Sequence, residues 1–320
     1  MKKLLIGLGA VTAALIAAAM LSIPPKLSAA ATTPTLPEDL DAWLAESEAA
    51  SPYPLVPDTE KRIVWQTPGE RSDYVVVYLH GFSASRQEIA PTAEMVAEQL
   101  GANLFETRLA GHGRTDGAMV DVTAEDWIDD GIEALAIAQH LGEKIVLVTV
   151  STGSTIAIAL ADHPLMASVD TLVMLAPNFM PAAPNAEMVT GPGGPILMRL
   201  IVGETRSWEP RNELQAKYWS TRYPSSTSVE VMRLVDLANA TLPLDLPFKV
   251  ITISAENDQV VSLDATRAAL EQIEAVHSEL LILPVTDNAG NHVIAGDVLA
   301  PRERTLSIVD TIVRFVSDSS

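Results

Sequence analysis

The residues best suited to chemistry in this chain stand where aliphatic runs stop. "VTVSTGST", residues 148–155, places Ser151 in a Ser-Thr-Gly turn directly after such a run. A serine hydroxyl becomes a useful nucleophile at neutral pH beside a base, and imidazole is the ordinary one. The chain has six histidines. His140 and His163 fall at the ends of covering helices, where imidazole commonly meets the last carbonyls, and His277 closes the helix expected before "ELLILP". His80 and His112 follow strands but precede the serine. His292 alone follows a strand end downstream, in a loop free to reach over the sheet.

A carboxylate must then hold the imidazole. In an open parallel sheet, functional groups gather at the carboxyl ends of the strands. The order serine, acid, histidine puts the acid between the other two. Asn178, which ends the strand after the serine's, offers no carboxylate, whereas Asp258 after "FKVITISAEN" does. Glu256 and Asp287 are alternatives for the same role, and Asp258 could simply cap the helix starting near Leu263. A lone serine after a strand is ordinarily a turn residue. Its rival Ser154 lies about one turn into the following helix, pointing away from the sheet edge.

These groups need a scaffold. "DYVVVYLHGF", "ANLFETRLAGHG", "KIVLVTV", "DTLVMLAP", "FKVITISA" and "ELLILP" read as strands, mostly unbroken aliphatic runs. Helices alternate with them: "QEIAPTAEMVAEQLG", "TAEDWIDDGIEALAIAQHLG" with its Thr cap and acidic first turn, residues 152–162, and residues 302–316. That alternation predicts an α/β fold, a mostly parallel sheet covered on both faces. Nearly 70 residues between Asn178 and Pro247, with "GPGGP" and two or three helices, predict a small helical cap over about 179–246. Its aromatics Trp208, Tyr218, Trp219 and Tyr223 serve equally well as the cap's own core or as substrate contacts.

Composition narrows the function classes. The 320 residues are 48% hydrophobic and 19% charged, with a net charge of −20. Nucleic acid is disfavoured, because phosphate neutralisation needs clustered Lys and Arg. With no cysteine, the chain has no thiolate chemistry and no disulfides. Lys2 and Lys3 precede an uncharged stretch from Leu4 to Ile23, followed by the small residues Ser28, Ala29, Ala30 and Ala31. That order predicts export, with residues 1–31 a signal peptide or an uncleaved N-terminal membrane anchor. The stretch exceeds the about 7–15 apolar residues of a signal and approaches the roughly 20 of a span. Its loss would remove Lys2, Lys3 and Lys26 and take the charge from −20 to −23. Residues 32–58, rich in proline, predict an extended tether with a short helix near Leu40 to Ala49; residues 59–320 form the main domain.

Six stretches, "YLHGFSAS", "RLAGHGRTDG", "DWIDD", "VTVSTGS", "ENDQVV" and "NHVIAGD", together resemble the α/β-hydrolase superfamily. The resemblance is greater to its bacterial carboxylesterase and monoacylglycerol lipase branch, and spans about residues 74 to 317. It implies the α/β-hydrolase fold, with the cap inserted after the strand that follows the nucleophile elbow. It also implies Ser151 as nucleophile, His292 as general base and acid, and Asp258 as the carboxylate holding the imidazole. The backbone N–H groups of Phe82 and Thr152 would form the oxyanion hole, with Gly81 letting the backbone close on the site.

The implied reaction is hydrolysis of a carboxylic ester, of short- to medium-chain acyl or monoacylglycerol type, through an acyl-serine and with no cofactor or metal. The partner would be a small-molecule ester, and residues 4–23 could associate with a membrane. Met180, Met188, Met198, Leu197 and Ile201 near the cap favour an apolar acyl group. A thioesterase, acyltransferase or peptidase with the same triad, or a non-catalytic binding protein, would share the fold.

Several residues have simpler readings. "GHG" with His112 fits loop bracing better than a metal site. Trp127 reads as helix core, and Glu125-Asp126 and Asp129-Asp130 as charges on a solvated helix face. Thr149 departs from the superfamily, which usually has glycine there, and predicts a looser or slightly reoriented elbow.

Overall fold

The computed structural model describes residues 17–29, 32–115, 117–285 and 291–318. Lys2, Lys3, most of the apolar N-terminal stretch, Ala30, Ala31 and Asp287 lie outside the described residues. Among the described residues, no helix is long and apolar enough to cross a membrane.

Helix α1 (Leu40–Ala49) precedes strands β1 (Arg62–Val64) and β2 (Ser72–Leu79), helix α2 (Thr92–Leu100) and strand β3 (Asn103–Glu106). Helix α3 (Ala124–Leu141), strand β4 (Gly142–Val150), helix α4 (Thr152–Ala159) and strand β5 (Val169–Leu175) follow. After the insertion come β8 (Leu244–Leu246), β9 (Lys249–Ala255), α8 (Leu263–Leu270), β10 (Ile273–Ala275), β11 (Ser278–Leu283) and α9 (Arg302–Ser317). Seven strands form the main sheet in the order β1-β3-β2-β4-β5-β9-β11. β1 runs antiparallel to β3, and every other pair in that sheet is parallel.

Strand alternation splits the core into two layers. Val75, Val77, Leu79, Ile145 and Leu147 pack with α3 and α4 on one face; Val76, Tyr78, Val146, Val148 and Val150 pack with α2 and α9 on the other. α3 starts at a capping box in which Thr123 and Asp126 bond reciprocally. It ends with no loop at all, because Gly142 is already extended and begins β4. All eight residues of α4 are buried, which explains the lack of a polar face in "TGSTIAIA".

The insertion is not purely helical. It holds α5 (Gly194–Val202), β6 (Thr205–Ser207), α6 (Glu213–Tyr218), β7 (Arg222–Pro224) and α7 (Ser226–Ala240), with β6 and β7 paired antiparallel. Three-residue strands carry too little alternation to be read from sequence. α7 is also more than cap: Val231, Leu234 and Ala238 enter the core layer shared with α4, and the helix leads back toward β9.

The tether is docked rather than loose. Leu40 and Leu44 enter the core, and buried Glu48 accepts from Arg108 Nε and Nη2 and from Arg114 Nη2. His277 closes no helix, since α8 stops at Leu270 and β10 intervenes; its ring stacks on Phe315 with centroids 5.2 Å apart.

Candidate active site

Ser151 sits between β4 and α4 with φ 50° and ψ −112°, a conformation that side chains rarely adopt. The turn is held from three sides. Ser151 N–H donates to Leu175 O at 3.0 Å, Asn178 N–H donates to Ser151 O at 3.3 Å, and Ser154 N–H donates to Ser151 O at 3.0 Å. Gly153 is required by space: a Cβ there would lie 2.2 Å from Leu79 O. Thr149 does not loosen the elbow. It is fully buried and in register with Leu79 on β2 and Met174 on β5, with its hydroxyl bonded to Val173 O and Ser154 Oγ. Ser154 is therefore committed to the elbow's interior.

Asp258 follows β9 and does not cap α8, whose N-cap is Ser262. Its Oδ1 accepts from Val260 N–H at 2.7 Å and Val261 N–H at 3.1 Å, while Oδ2 lies 2.8 Å from His292 Nδ1. An ionised carboxylate only accepts, so Nδ1 carries the proton and the neutral ring's Nε2 is the basic nitrogen. The Asp258 side chain is 2% exposed, whereas Glu256 faces solvent. Asp258 and His292 are thus in direct contact, and Ser151 stands on the same carboxyl edge of the sheet, two strands away from β9.

Residues 80–84 close against the serine. A Cβ at Gly81 would lie 3.3 Å from Ser151 Cβ, so glycine is needed there for space and not for an unusual φ. Thr152 is the first residue of α4, and its N–H has no intrahelical acceptor. Two buried imidazoles brace the loop. Leu109 N–H donates to His80 Nε2 at 3.0 Å, and Ser83 N–H donates to His112 Nε2 at 2.9 Å. The opposite nitrogens meet Gly81 O and Ala110 O, so both rings are neutral and fully engaged, which leaves "GHG" no metal-ligating nitrogen. Burial drives His80 well below the usual imidazole range and His112 down to about 4.

The acidic face of α3 departs from expectation at Asp130. Its carboxylate accepts from Ala110 N–H at 2.6 Å and lies 3.4 Å from Lys61 Nζ; burial pushes it up to about 6. The helix turns this residue under the loop that carries His112, so it supports the site instead of facing water. Trp127 is core, as its side chain suggests, with its indole N–H on Ala110 O.

The cap aromatics reach the site's loops. Trp219 packs with Ala84 and Val293, which joins the serine-facing loop to the histidine loop. The Tyr223 ring meets Phe82 edge-on with centroids 5.0 Å apart, and Ser220 N–H donates to Ser83 O at 2.7 Å. Sequence reasoning missed this clamp, and it also missed buried Glu88, whose carboxylate takes the Gly81 N–H at 2.7 Å. No pattern marked either feature.

Comparison with known proteins agrees with this architecture. The family model of serine aminopeptidase, S33 (Hydrolase_4) matches residues 70–286. No curated protein matches the chain in sequence. Among solved structures, one described with the metagenome-derived lipolytic enzymes LipS and LipT has a TM-score of 0.65 at 19% identity, over 82% of this chain and 99% of that one. A soluble variant of Saccharomyces cerevisiae monoglyceride lipase, in complex with a substrate analog, has a TM-score of 0.58 at 11% identity, over 92% and 98%. Paleococcus ferrophilus monoacylglycerol lipase has a TM-score of 0.58 at 15% identity, over 80% and 97%. These likenesses show the α/β-hydrolase fold, and the chain belongs to the Hydrolase_4 family of serine aminopeptidase-like hydrolases.

Proposed function

We propose that the protein hydrolyses carboxylic esters with an apolar acyl group, of short- to medium-chain or monoacylglycerol type, through an acyl-serine intermediate. The observation that carries this reading is the Asp258–His292 contact of 2.8 Å on the sheet edge where Ser151 occupies a strained turn. In this mechanism His292 Nε2 takes the Ser151 hydroxyl proton as Oγ bonds to the ester carbon. The tetrahedral oxyanion accepts from the N–H groups of Phe82 and Thr152. Its collapse breaks the ester C–O bond, and His292 returns the proton to the leaving alcohol. A water molecule then repeats the sequence and releases the acid. Asp258 keeps the Nδ1 proton in place and stabilises the imidazolium.

A serine-directed phosphonate should label the wild type and fail to label Ser151→Ala. A p-nitrophenyl ester series, run beside monoacylglycerols and aminoacyl amides, then sets the substrate class. Preferential amide cleavage would overturn the ester assignment, and equal labelling of Ser151→Ala would overturn the mechanism.

The same reading makes the protein exported, either free or held at a membrane by its N-terminal segment. Support comes from the uncharged residues 4–23 and from the surface that Ala19 and Ser22 meet. Gly193 N–H donates to Ala19 O at 3.0 Å, and α5 beside it exposes Ile196, Leu197, Leu200 and Ile201. Fractionation of cells expressing the full chain and a chain lacking residues 1–31 tests this. Recovery of both in the cytosol would overturn it.

A further inference from the structure

The N–H assigned to the oxyanion hole at Phe82 lies between two amides that are both engaged. Gly81 N–H donates to Glu88 Oε2 at 2.7 Å, and Ser83 N–H donates to His112 Nε2 at 2.9 Å. Peptide units are planar, so fixing the amide on either side limits the direction of the one between. His112 does this as a neutral ring. Glu88 does it as a carboxyl group that is 2% exposed.

That choice of residue is costly. Among the described residues no lysine or arginine forms an ion pair with Glu88, and burial disfavours a carboxylate's charge where no cation answers it. Its neighbours show where the charge is directed. Tyr78 Oη donates to Oε2 at 3.1 Å. A Cβ built on Gly81 would lie 2.9 Å from Oε1 and 3.3 Å from Ser151 Cβ, so one glycine separates the carboxylate from the serine. The loop that carries His292 packs on the same turn: a Cβ at Gly296 would lie 2.7 Å from Glu88 O, and Asp297 N–H donates to Ala90 O at 2.9 Å.

We propose that Glu88 is a positioning residue whose buried carboxylate locks the Gly81 amide, aims the Phe82 N–H at the developing oxyanion, and sets a second fixed negative charge, besides Asp258, toward the His292 imidazolium. This inference rests on the ester-hydrolase reading above. Burial pushes the pKa of Glu88 above the usual carboxylate range, against the Gly81 N–H, the His292 charge and the Tyr78 hydroxyl, which lower it. The titratable groups facing Glu88 are therefore Tyr78 from β2 and His292 from the loop after β11. Arg86, on its own turn, is engaged by Glu60 and Glu106.

The test is steady-state hydrolysis of a p-nitrophenyl ester across pH by wild type, Glu88→Gln, Glu88→Ala and Ser151→Ala, each checked for a cooperative melt. Glu88→Ala is expected to lower kcat by about 10²-fold, as loss of one oxyanion donor does, with KM within about threefold of wild type. Glu88→Gln keeps an acceptor for Gly81 N–H but no charge. It should move the acidic limb of kcat/KM to lower pH, because His292 loses an anion that favours its protonated form. A purely structural role would leave that limb in place.

An unmoved limb in Glu88→Gln, or a folded Glu88→Ala with kcat within about threefold of wild type, overturns the proposal. If Glu88→Ala does not fold, the Glu88→Gln limb decides alone. Full activity in Ser151→Ala would remove the ester-hydrolase reading and this proposal together. An inactive Ser151→Ala beside unaffected Glu88 variants would remove this proposal only.

Discussion

Thr149 Oγ1 stands 2.8 Å from Ser154 Oγ and 2.8 Å from Val173 O. A carbonyl only accepts, so the single threonine proton goes to Val173 and Ser154 donates to Thr149. The two hydroxyls strap the end of β4 to the first turn of α4, across the turn that carries Ser151. Thr149→Val strands the Ser154 hydroxyl and should cost about 1–3 kcal/mol, whereas Ser154→Ala alone should cost about 1 kcal/mol. In urea unfolding, the double variant should lose less than the sum of the two. Thr149→Gly should lower stability and kcat, and adding Ser154→Ala should return part of the stability.

Asp258→Asn preserves the shape of the His292 contact but lets the amide favour the wrong tautomer. A fall in kcat on the order of 10³–10⁴ is expected, with little change in melting temperature. Steady-state kinetics and thermal unfolding on the same preparation measure both. A loss of less than about tenfold would remove Asp258 from the role given to it.

His112 predicts an acid-side loss of stability. The unfolded chain binds its proton near pH 6.5 and the folded one only near 4, so the unfolded state holds more protons in between. The stabilisation is full above pH 6.5 and drains as pH falls toward 4, by an amount on the order of 3 kcal/mol. Glu106 and Asp130, raised by burial to about 7 and about 6, act in the opposite direction over part of this range. The comparison is therefore with His112→Gln, which cannot titrate. Its unfolding free energy should fall less than that of wild type between pH 6.5 and 4.

Trp219 ties the cap to both loops around the site. Trp219→Ala should cost about 3–5 kcal/mol in folding free energy if the cap and domain unfold together. It should also raise KM for esters, since Ala84 and Val293 lose their common neighbour. Denaturant unfolding with two probes, Trp fluorescence and circular dichroism, checks the first point, and ester kinetics the second.

The main strands and most of the helices were legible because burial on both faces leaves unbroken aliphatic runs. Ser151, Asp258 and His292 could be singled out because a parallel sheet sends its strand ends to one edge. What escaped depends on side chains meeting across the fold. Asp130 looks like a surface charge on its helix, and only the packing of α3 under residues 108–113 buries it. Glu88 lies in a three-residue 3₁₀ turn with no pattern of its own. Thr149 looked like an anomaly because its partner Ser154 stands five positions away, where its hydroxyl suggested a rival nucleophile and not a strap for the elbow.

α7 has one face in each layer of the molecule. Val231, Leu234 and Ala238 belong to the domain core, while Met232 and Val235 pack on Ala186 of the cap. It acts as a shared beam, so the adjoining part of the cap cannot tilt without dragging the wall beneath it. Residues 180–182 are also fastened, by the Ser262 N–H to Met180 O and Ala182 N–H to Val260 O bonds. α5, bounded by Gly193 and Gly203, also packs on α7, so it is carried on the same beam.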